Sequence, residues 1–288
     1  MKRLIVISPS RDESKYIGIT INSMVNQTHP PDRWIIVDDG SADGTGDIVA
    51  EYAAKYPWIE LVRRDRSGNR QLGPGVVSAF NHGLSFVRDD PFEVIAKMDC
   101  DIEFEPDTIE KIMAHFERPG VGMASGIGYL KIGSRLFPER YPRYHCPGMA
   151  KFYRRACFEQ IGGPQPIYGW DILDETDARR HGWTTLSDPE VVFIHHRMQS
   201  STLGSVRGRI TWGQGAFAIG SHPAFAVIRG VYRMLEPPWI LGGVAFLYGF
   251  FSSYFNPELN RNREPGLIRH VRKEQLHRVL HGNRLPSS

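Results

Sequence analysis

VIAKMDCD, residues 94–101, is a short apolar run that ends in two aspartates. The run VIAKM predicts a buried strand, and Asp99 and Asp101 follow at its carboxyl end. Two carboxylates with one residue between them can both reach one cation, and hard oxygen ligands suit Mg²⁺ or Mn²⁺. A solvated strand end is the other explanation of such a triplet, so the triplet alone predicts a strand and a candidate metal site.

Three further apolar runs lie upstream of this strand, and helical stretches separate them. The runs are residues 4–8, 34–38 and 59–63, and the helical stretches are roughly 14–26, 44–56 and 74–88. This alternation predicts an α/β fold with a Rossmann-like, mainly parallel sheet and helices on both faces. Sheets of this kind bind ligands at the carboxyl ends of their strands.

The middle of the chain is less regular. Residues 105–117 predict another helix, whereas residues 120–170 are rich in Gly, Pro and Tyr and predict loops and irregular strands. Helix is expected again near 171–181, and the apolar run at 190–196 predicts a further strand.

Composition limits the class of protein. The chain has 288 residues, of which 41% are hydrophobic and 23% charged, which is typical of a globular protein with a sizeable core. Cys100, Cys146 and Cys157 are an odd set without CxxC spacing, which favours a reducing compartment and no disulfide framework. The apolar run near the first residue is too short for the core of a signal peptide and predicts a strand instead.

Charge divides the chain near residue 200. Residues 200–288 hold 11 Lys and Arg against 4 Asp and Glu, a net +7, whereas residues 1–199 have a net charge of −4. An acidic front half suits metal and nucleotide binding, and a basic tail suits anionic lipid or a solvated surface. We therefore predict two parts: a catalytic domain over 1–200, and a helical region over 201–288.

The apolar segments of the tail point to a membrane surface. Residues 238–255 carry no charge, but glycines interrupt them and arginines flank them on both sides. A full span would place one arginine cluster across the membrane, so a segment that dips into one leaflet is favoured. Residues 265–281 predict an amphipathic helix, which can lie on lipid or cover a soluble core. The prediction is peripheral or monotopic attachment at the cytoplasmic face of the cell membrane.

A second acidic turn follows another predicted strand. In VDDGS, residues 37–41, a glycine-containing turn can present carboxylates to a base or a ribose. An Asx-turn followed by a helix cap is the alternative.

Taken in order, these motifs resemble glycosyltransferase family 2, of the bacterial polysaccharide type. VISPSRDE at 6–13 is similar to the first strand and loop of that family, VDDGS to its nucleotide-binding turn, and DCD to its metal-binding DxD motif. GPGVVSAFNHGL at 73–84 is similar to a family helix that ends in Asn-x-Gly. The resemblance covers roughly residues 3–200 and implies a GT-A fold and an inverting transfer of sugar.

The resemblance also implies donor-binding residues. Those expected to contact the nucleotide sugar are Pro9, Arg11, Glu13, Asp39, Arg70 and Asp99. Asp99 and Asp101 are expected to hold Mn²⁺ or Mg²⁺, and Arg70 is expected to meet the diphosphate. The nucleobase cannot be carried over, so UDP-, GDP- and dTDP-sugars all remain possible donors.

The segment GWDILDETDARRHGW at 169–183 resembles the part of the family that supplies the catalytic base. An ungapped match places Asp171 at the base and Trp170 where glutamate is usual. Asp171, Asp174 and Glu175 share one face of a helix, and their crowding would raise the pKa of one carboxyl toward a value suited to a base. Asp171 is favoured, Glu175 and Asp174 are the alternates, and N-terminal capping is the structural explanation.

His195 and His196 end the predicted strand at 190–196. In related GT-A enzymes a histidine after the base helix completes the metal site. Adjacent strand residues face opposite ways, so only one of the two is expected to bind the metal, and His195 is chosen.

The function predicted from these features is metal-dependent, inverting transfer of a sugar from a nucleotide sugar to a lipid-linked or saccharide acceptor in cell-surface polysaccharide synthesis. A nucleotidyltransferase is one alternative, but residues 8–20 lack a glycine-rich phosphate loop with a lysine. A non-catalytic nucleotide-sugar binding protein is the other, and it needs no base. No nucleic-acid partner is expected, because the basic residues cluster in the apolar tail.

Overall fold

The computed structural model describes residues 2–65, 73–197, 204–236, 238–282 and 285. The chain forms two compact units. The first comprises residues 1–71, 75–163 and 183–197, and the second comprises residues 72–74, 164–182 and 198–288. The segment 164–182 thus groups with the C-terminal helices, whereas the sequence analysis drew its boundary at residue 200. The predicted boundary came from the distribution of charge along the chain, and charge does not show that a segment packs against a later part of the chain.

The described part of the first unit contains one nine-stranded sheet. Its strands are β1 (Leu4–Ser10), β2 (Arg33–Asp38), β3 (Ile59–Arg63), β4 (Val94–Met98), β5 (Ile102–Phe104), β6 (Val121–Ile132), β7 (Arg135–Pro138), β8 (Ala150–Arg154) and β9 (Thr184–His195). They are ordered β3-β2-β1-β4-β8-β6-β9-β5, and β7 pairs with β6.

The expectation of a mainly parallel sheet holds for half of this sheet. Strands β1 to β4 pair in parallel, as the intervening helices predict. Beyond β4 the sheet is mixed: β8 runs antiparallel to β4 and to β6, and β5 runs antiparallel to β9, whereas β6 and β9 are parallel. The prediction of a mainly parallel sheet is corrected there, because the regular alternation of strand and helix ends at β4; β6 and β7, for example, follow each other directly and pair as an antiparallel hairpin.

Helices cover both faces of the sheet, as predicted. The first unit contains α1 (Ile17–Val25), α2 (Thr45–Ala53), α3 (Pro74–Leu84), α4 (Thr108–His115) and α5 (Arg155–Ile161). Helices α1 and α4 pack on a core that includes Leu4 and Trp34. A methyl added to Gly83 of α3 would meet Ile7 and Val37, whose side chains point to the opposite face.

The second unit is helical in the part described. It contains α6 (Trp170–Arg180), α7 (Gly204–Ala218), α8 (Pro223–Arg233), α9 (Ile240–Ser252) with a 3-10 turn at Ser253–Phe255, and α10 (Pro265–His281). Helix α9 packs against α7 and α8, and α10 packs against α6 and α8. No helix in the described ranges is both long enough and apolar enough to cross a bilayer.

Candidate active site

Three predicted metal ligands meet in the first unit. The donor atoms of Asp99, Asp101 and His195 all lie within 4.8 Å of one another. His195 is buried, and the two aspartates are partly exposed. One cation can therefore contact all three side chains after small rotations of the carboxylates.

Backbone pairing explains why residues so far apart in sequence converge. The Asp99 N–H donates to the carbonyl of Met149 at 2.7 Å, which fixes the end of β4. Ile102 of β5 pairs with His195 of β9, and the His196 N–H donates to the Asp101 carbonyl at 3.0 Å. The β5–β9 ladder thus brings the aspartates alongside the end of β9.

The two histidines have different partners. His195 shares a hydrogen bond through Nδ1 with Glu139 Oε1 at 3.1 Å, whereas His196 lies 2.8 Å from Glu103 through Nε2. Burial acts to lower the pKa of His195, but the hydrogen bond and charge of Glu139, with smaller contributions from Asp101 and Asp99, raise it above its ordinary value. His195 therefore keeps Nε2 for a ligand, which is the geometry of a metal-binding histidine held by a second carboxylate.

Lys97 is a buried cation beside the aspartates. Its side chain is 3% exposed, its ammonium pairs with Asp99, and it donates to the carbonyl of Gly148 at 2.6 Å. A charged side chain inside an apolar strand requires such partners. The single lysine in the apolar run VIAKM therefore indicates a buried ion pair, but Lys97 is not among the predicted site residues.

Arg197 joins the metal cluster to the first loop. Its guanidinium pairs with Glu13, lies 3.5 Å from Asp101 between Nε and Oδ2, and stacks over Tyr16 with 5.4 Å between the guanidinium carbon and the ring centre. Burial lowers the pKa of Arg197 below its ordinary value. Glu13 is thereby tied to the cluster, which the sequence analysis did not predict.

The ends of β1 and β2 bring the expected nucleotide-binding residues together. Pro9 pairs with Val37 in the ladder, and the Arg11 guanidinium donates to the carbonyl of Asp39 at 3.0 Å. The buried Asp39 carboxylate lies 3.4 Å from Arg64. Arg70, the remaining predicted donor residue, lies outside the described residues.

Asp38 makes the turn that follows β2. Its Oδ1 accepts the N–H of Ser41, three residues on, at 2.9 Å, and Gly40 adopts φ +80°. The adjacent Asp39 is left to face Arg64. The carboxylate of Asp38 therefore closes the acidic turn, and the turn places a second carboxylate at the strand end.

Helix α6 in the second unit holds the three candidate base residues. Gly169 precedes it with φ +78°, and a methyl there would lie 3.0 Å from Ile219. Asp174 and Glu175 are buried at 4% and 2% exposure, and Glu175 lies 3.5 Å from Arg179, whereas Asp171 is partly exposed. The helix therefore leaves Asp171 the most accessible carboxylate of the three.

Comparison with known proteins agrees with the arrangement of these motifs. The family model described as Glycosyl transferase family 2 matches residues 5–170, more than half of the chain. The chain belongs to glycosyltransferase family 2.

Two curated relatives illustrate how far the likeness of this family 2 chain extends. A probable glycosyltransferase, YdaM of Bacillus subtilis, is 34% identical over 118 residues, which are 40% of this chain and 26% of that protein. Undecaprenyl-phosphate mannosyltransferase of Micrococcus luteus is 26% identical over 136 residues, 47% of this chain and 49% of that protein. This chain thus spans a quarter to a half of their length.

A solved structure shows the fold of the family 2 chain. The mannosyltransferase of Pyrobaculum calidifontis in complex with GDP-Man and Mn²⁺ aligns with a TM-score of 0.58 and 18% identity, and the alignment covers 88% of this chain and 73% of that one. The fold is therefore a mixed α/β fold of the GT-A type.

Proposed function

We propose that the protein is a metal-dependent, inverting glycosyltransferase that moves a sugar from a nucleotide sugar to a lipid-linked acceptor. The observation that carries this proposal is the convergence of Asp99, Asp101 and His195 in a chain of family 2. A strand end that is merely solvated does not explain why two carboxylates and an imidazole converge there. The presence of all three side chains therefore favours a metal site.

The donor atoms fit a divalent cation. Carboxylates suit both Mg²⁺ and Mn²⁺, whereas an imidazole ligand favours Mn²⁺ over Mg²⁺. When bound, such an ion neutralises charge on the donor diphosphate as it departs. The hydrogen bond from His195 to Glu139 would hold the imidazole in the tautomer that exposes Nε2.

The other predicted residues act on the nucleotide and the acceptor. The loop with Pro9, Arg11 and Glu13, together with Asp39, is proposed to contact the nucleoside. Asp171 is proposed to accept the proton of the acceptor hydroxyl while that hydroxyl attacks the anomeric carbon. Its partial exposure supports this role, since Asp174 and Glu175 are buried.

A lipid-linked acceptor is supported by the apolar surface of the second unit. Helix α9 exposes a stripe of large apolar side chains: Ile240, Leu241, Val244, Tyr248 and Phe251. Helix α8 exposes another, made of Val227, Ile228, Val231 and Tyr232, and Leu235 is exposed just beyond its end. With the net charge of +7 over residues 200–288, these stripes match an anionic lipid surface. One relative is named for undecaprenyl phosphate, itself a lipid.

Donor binding tests the enzymatic proposal directly. Thermal unfolding is followed with UDP-, GDP- and dTDP-sugars, each with Mn²⁺ and with a chelator. A donor present at about a hundred times its Kd stabilises the fold by about 2.7 kcal/mol. Stabilisation by a single donor class that requires Mn²⁺, followed by transfer of its sugar, supports the proposal. Donor binding without any transfer to lipid-linked or saccharide acceptors contradicts it and favours a non-catalytic binding protein.

Co-sedimentation with vesicles tests the membrane proposal. The full chain is expected to bind vesicles that contain phosphatidylglycerol and to need detergent for release. A variant with Ile240, Leu241 and Val244 changed to Gln should stay in the supernatant and unfold at the temperature of the parent. If the parent chain also remains unbound, the membrane proposal is wrong and a soluble acceptor is the better interpretation.

A further inference from the structure

Four arginines of the second unit act on one another through their charges. Arg229 of α8 is half-buried, and burial is the largest cause that lowers its pKa, to about 10. The other downward causes are the positive charges of three further arginines: Arg209, Arg233 and Arg278. These four residues, which we term the arginine cluster, come from three helices and repel one another.

Few carboxylates offset the arginine cluster. Glu236 pairs with Arg233 and lies 3.6 Å from Arg209. Asp171 acts on Arg229 through its charge, which raises the pKa of that arginine. Across the described ranges, no acidic group lies within ion-pair distance of Arg229, which stacks instead over Phe246 with 5.8 Å to the ring centre. The four guanidiniums thus outnumber the carboxylates that these contacts bring to them.

Contacts within the protein hold guanidiniums of the arginine cluster in place. Trp212 is contacted by two of the guanidiniums, with Arg209 4.5 Å and Arg233 5.0 Å from its ring centre. A methyl on Gly242 would lie 3.6 Å from Arg209, so α9 closes over this arginine. Stacked guanidiniums lose little rotamer freedom on binding, which favours recognition of phosphate groups.

The apolar surface next to the cluster indicates what carries the anion. Glu236, which pairs with Arg233, follows the exposed Leu235 and accepts the N–H of the exposed Trp239 at 2.6 Å, with the exposed Ile240 next in sequence. A free phosphate uses only the arginines. A phosphate attached to a hydrocarbon chain uses both the arginines and these apolar side chains, so a lipid-borne phosphate is the occupant that fits all of the surface.

We propose that the arginine cluster binds the phosphate or diphosphate that joins the hydrocarbon chain of a lipid-linked saccharide to its sugar. This inference rests on the proposed function, since it assigns the acceptor a binding site. Asp171, the proposed base, belongs to the same unit as the arginine cluster.

Binding of three soluble probes tests the inference without donor or metal. Farnesyl diphosphate carries both a diphosphate and a hydrocarbon chain. Inorganic pyrophosphate carries only the charged group, and farnesol carries only the hydrocarbon chain. Farnesyl diphosphate is expected to bind most tightly, and Arg229→Gln should weaken that binding by roughly tenfold to a hundredfold. The matched control is Arg207→Gln, an exposed arginine of α7, which should bind as the parent does.

Folding effects are separated from binding effects by unfolding in the absence of ligand. Removing one of four repelling charges should leave the melting temperature of Arg229→Gln unchanged or higher. Should that variant fail to fold, Arg278→Gln replaces it, with the same loss of affinity expected. Equal affinity for pyrophosphate and farnesyl diphosphate would overturn the lipid assignment, and unchanged affinity in both arginine variants would overturn the site. Asp171→Asn should still bind farnesyl diphosphate, so failure of the transferase proposal is observed separately.

Discussion

Glu139 holds His195 by a hydrogen bond of 3.1 Å between Oε1 and Nδ1, although 56 residues separate the two in sequence. A methyl on Gly128 would lie 2.6 Å from Glu139, so β6 holds this carboxylate closely from the other side. A carboxylate fixed in this way orients the imidazole of His195, whose donor atom lies within 4.8 Å of those of Asp99 and Asp101.

Glu139→Gln should therefore weaken Mn²⁺ binding by roughly 10–100-fold, the usual effect of removing an outer partner of a ligating histidine. Binding is measured by the electron paramagnetic resonance signal of free Mn²⁺, which requires no activity. Glu51→Gln changes an exposed carboxylate of α2 and serves as the control. Equal Mn²⁺ affinity in the two variants would show that Glu139 does not position the histidine.

Asp101→Ala should abolish Mn²⁺-dependent donor binding while leaving the fold intact. Asp101 is partly exposed and lies at a strand end, so its loss removes a ligand without opening the core. The measurement is the Mn²⁺-dependent shift in melting temperature with the preferred donor. Asp89→Ala, an exposed aspartate, is the matched control. A donor shift in Asp101→Ala as large as that of the parent contradicts the assignment.

Asp171→Asn should bind donor normally and lose transfer by roughly 10²–10⁴-fold, the range for one positioned proton acceptor. Amide and carboxylate have similar size, so α6 should form in the variant. Glu175→Gln is the comparison, because Glu175 is buried beside Arg179 and should matter for folding more than for transfer. An active Asp171→Asn together with an inactive but folded Glu175→Gln would show that the base is Glu175, one helical turn beyond Asp171.

Gly249→Ala should destabilise the second unit by about 1–3 kcal/mol, the usual effect of overpacking. A methyl there would lie 2.1 Å from the backbone oxygen of Ile210, and backbone cannot move aside as a side chain can. Gly215→Ala on α7 is the control, since its methyl would be 3.4 Å from the nearest atom. Chemical denaturation of both variants measures the difference, and equal stability would mean that α7 and α9 lie farther apart than the structure has them.

Local pattern was enough to predict many of the elements. The bounds of β3 and β4 match the predicted runs at 59–63 and 94–98, and α10 matches the predicted helix at 265–281. In each case a clear apolar period is bounded by a turn residue, a charge or a proline. The antiparallel pairing of β8 with β4 was not predicted, because it depends on contacts across more than fifty residues that no local pattern encodes.

Some residues of the candidate site could likewise be predicted from the sequence, and others could not. Asp99, Asp101 and His195 were found because strand ends and a family motif point to them. Lys97 and Glu139 were missed because their roles depend on distant partners: Lys97 on the carbonyl of Gly148, and Glu139 on the ring of His195. A charged residue inside an apolar strand is the one sequence signal that could have identified Lys97.

Helix α9 has two sides with opposite requirements. Its glycines Gly243 and Gly249 let the backbones of α8 and α7 approach closely, while Tyr248 and Phe251 face outward. Mean hydropathy averages over both sides of the helix, so the whole segment scores as hydrophobic. For protein engineering the distinction is practical: the outward side chains of α9 can be exchanged for polar ones without disturbing its packing on α7 and α8, provided that Gly243 and Gly249 are retained.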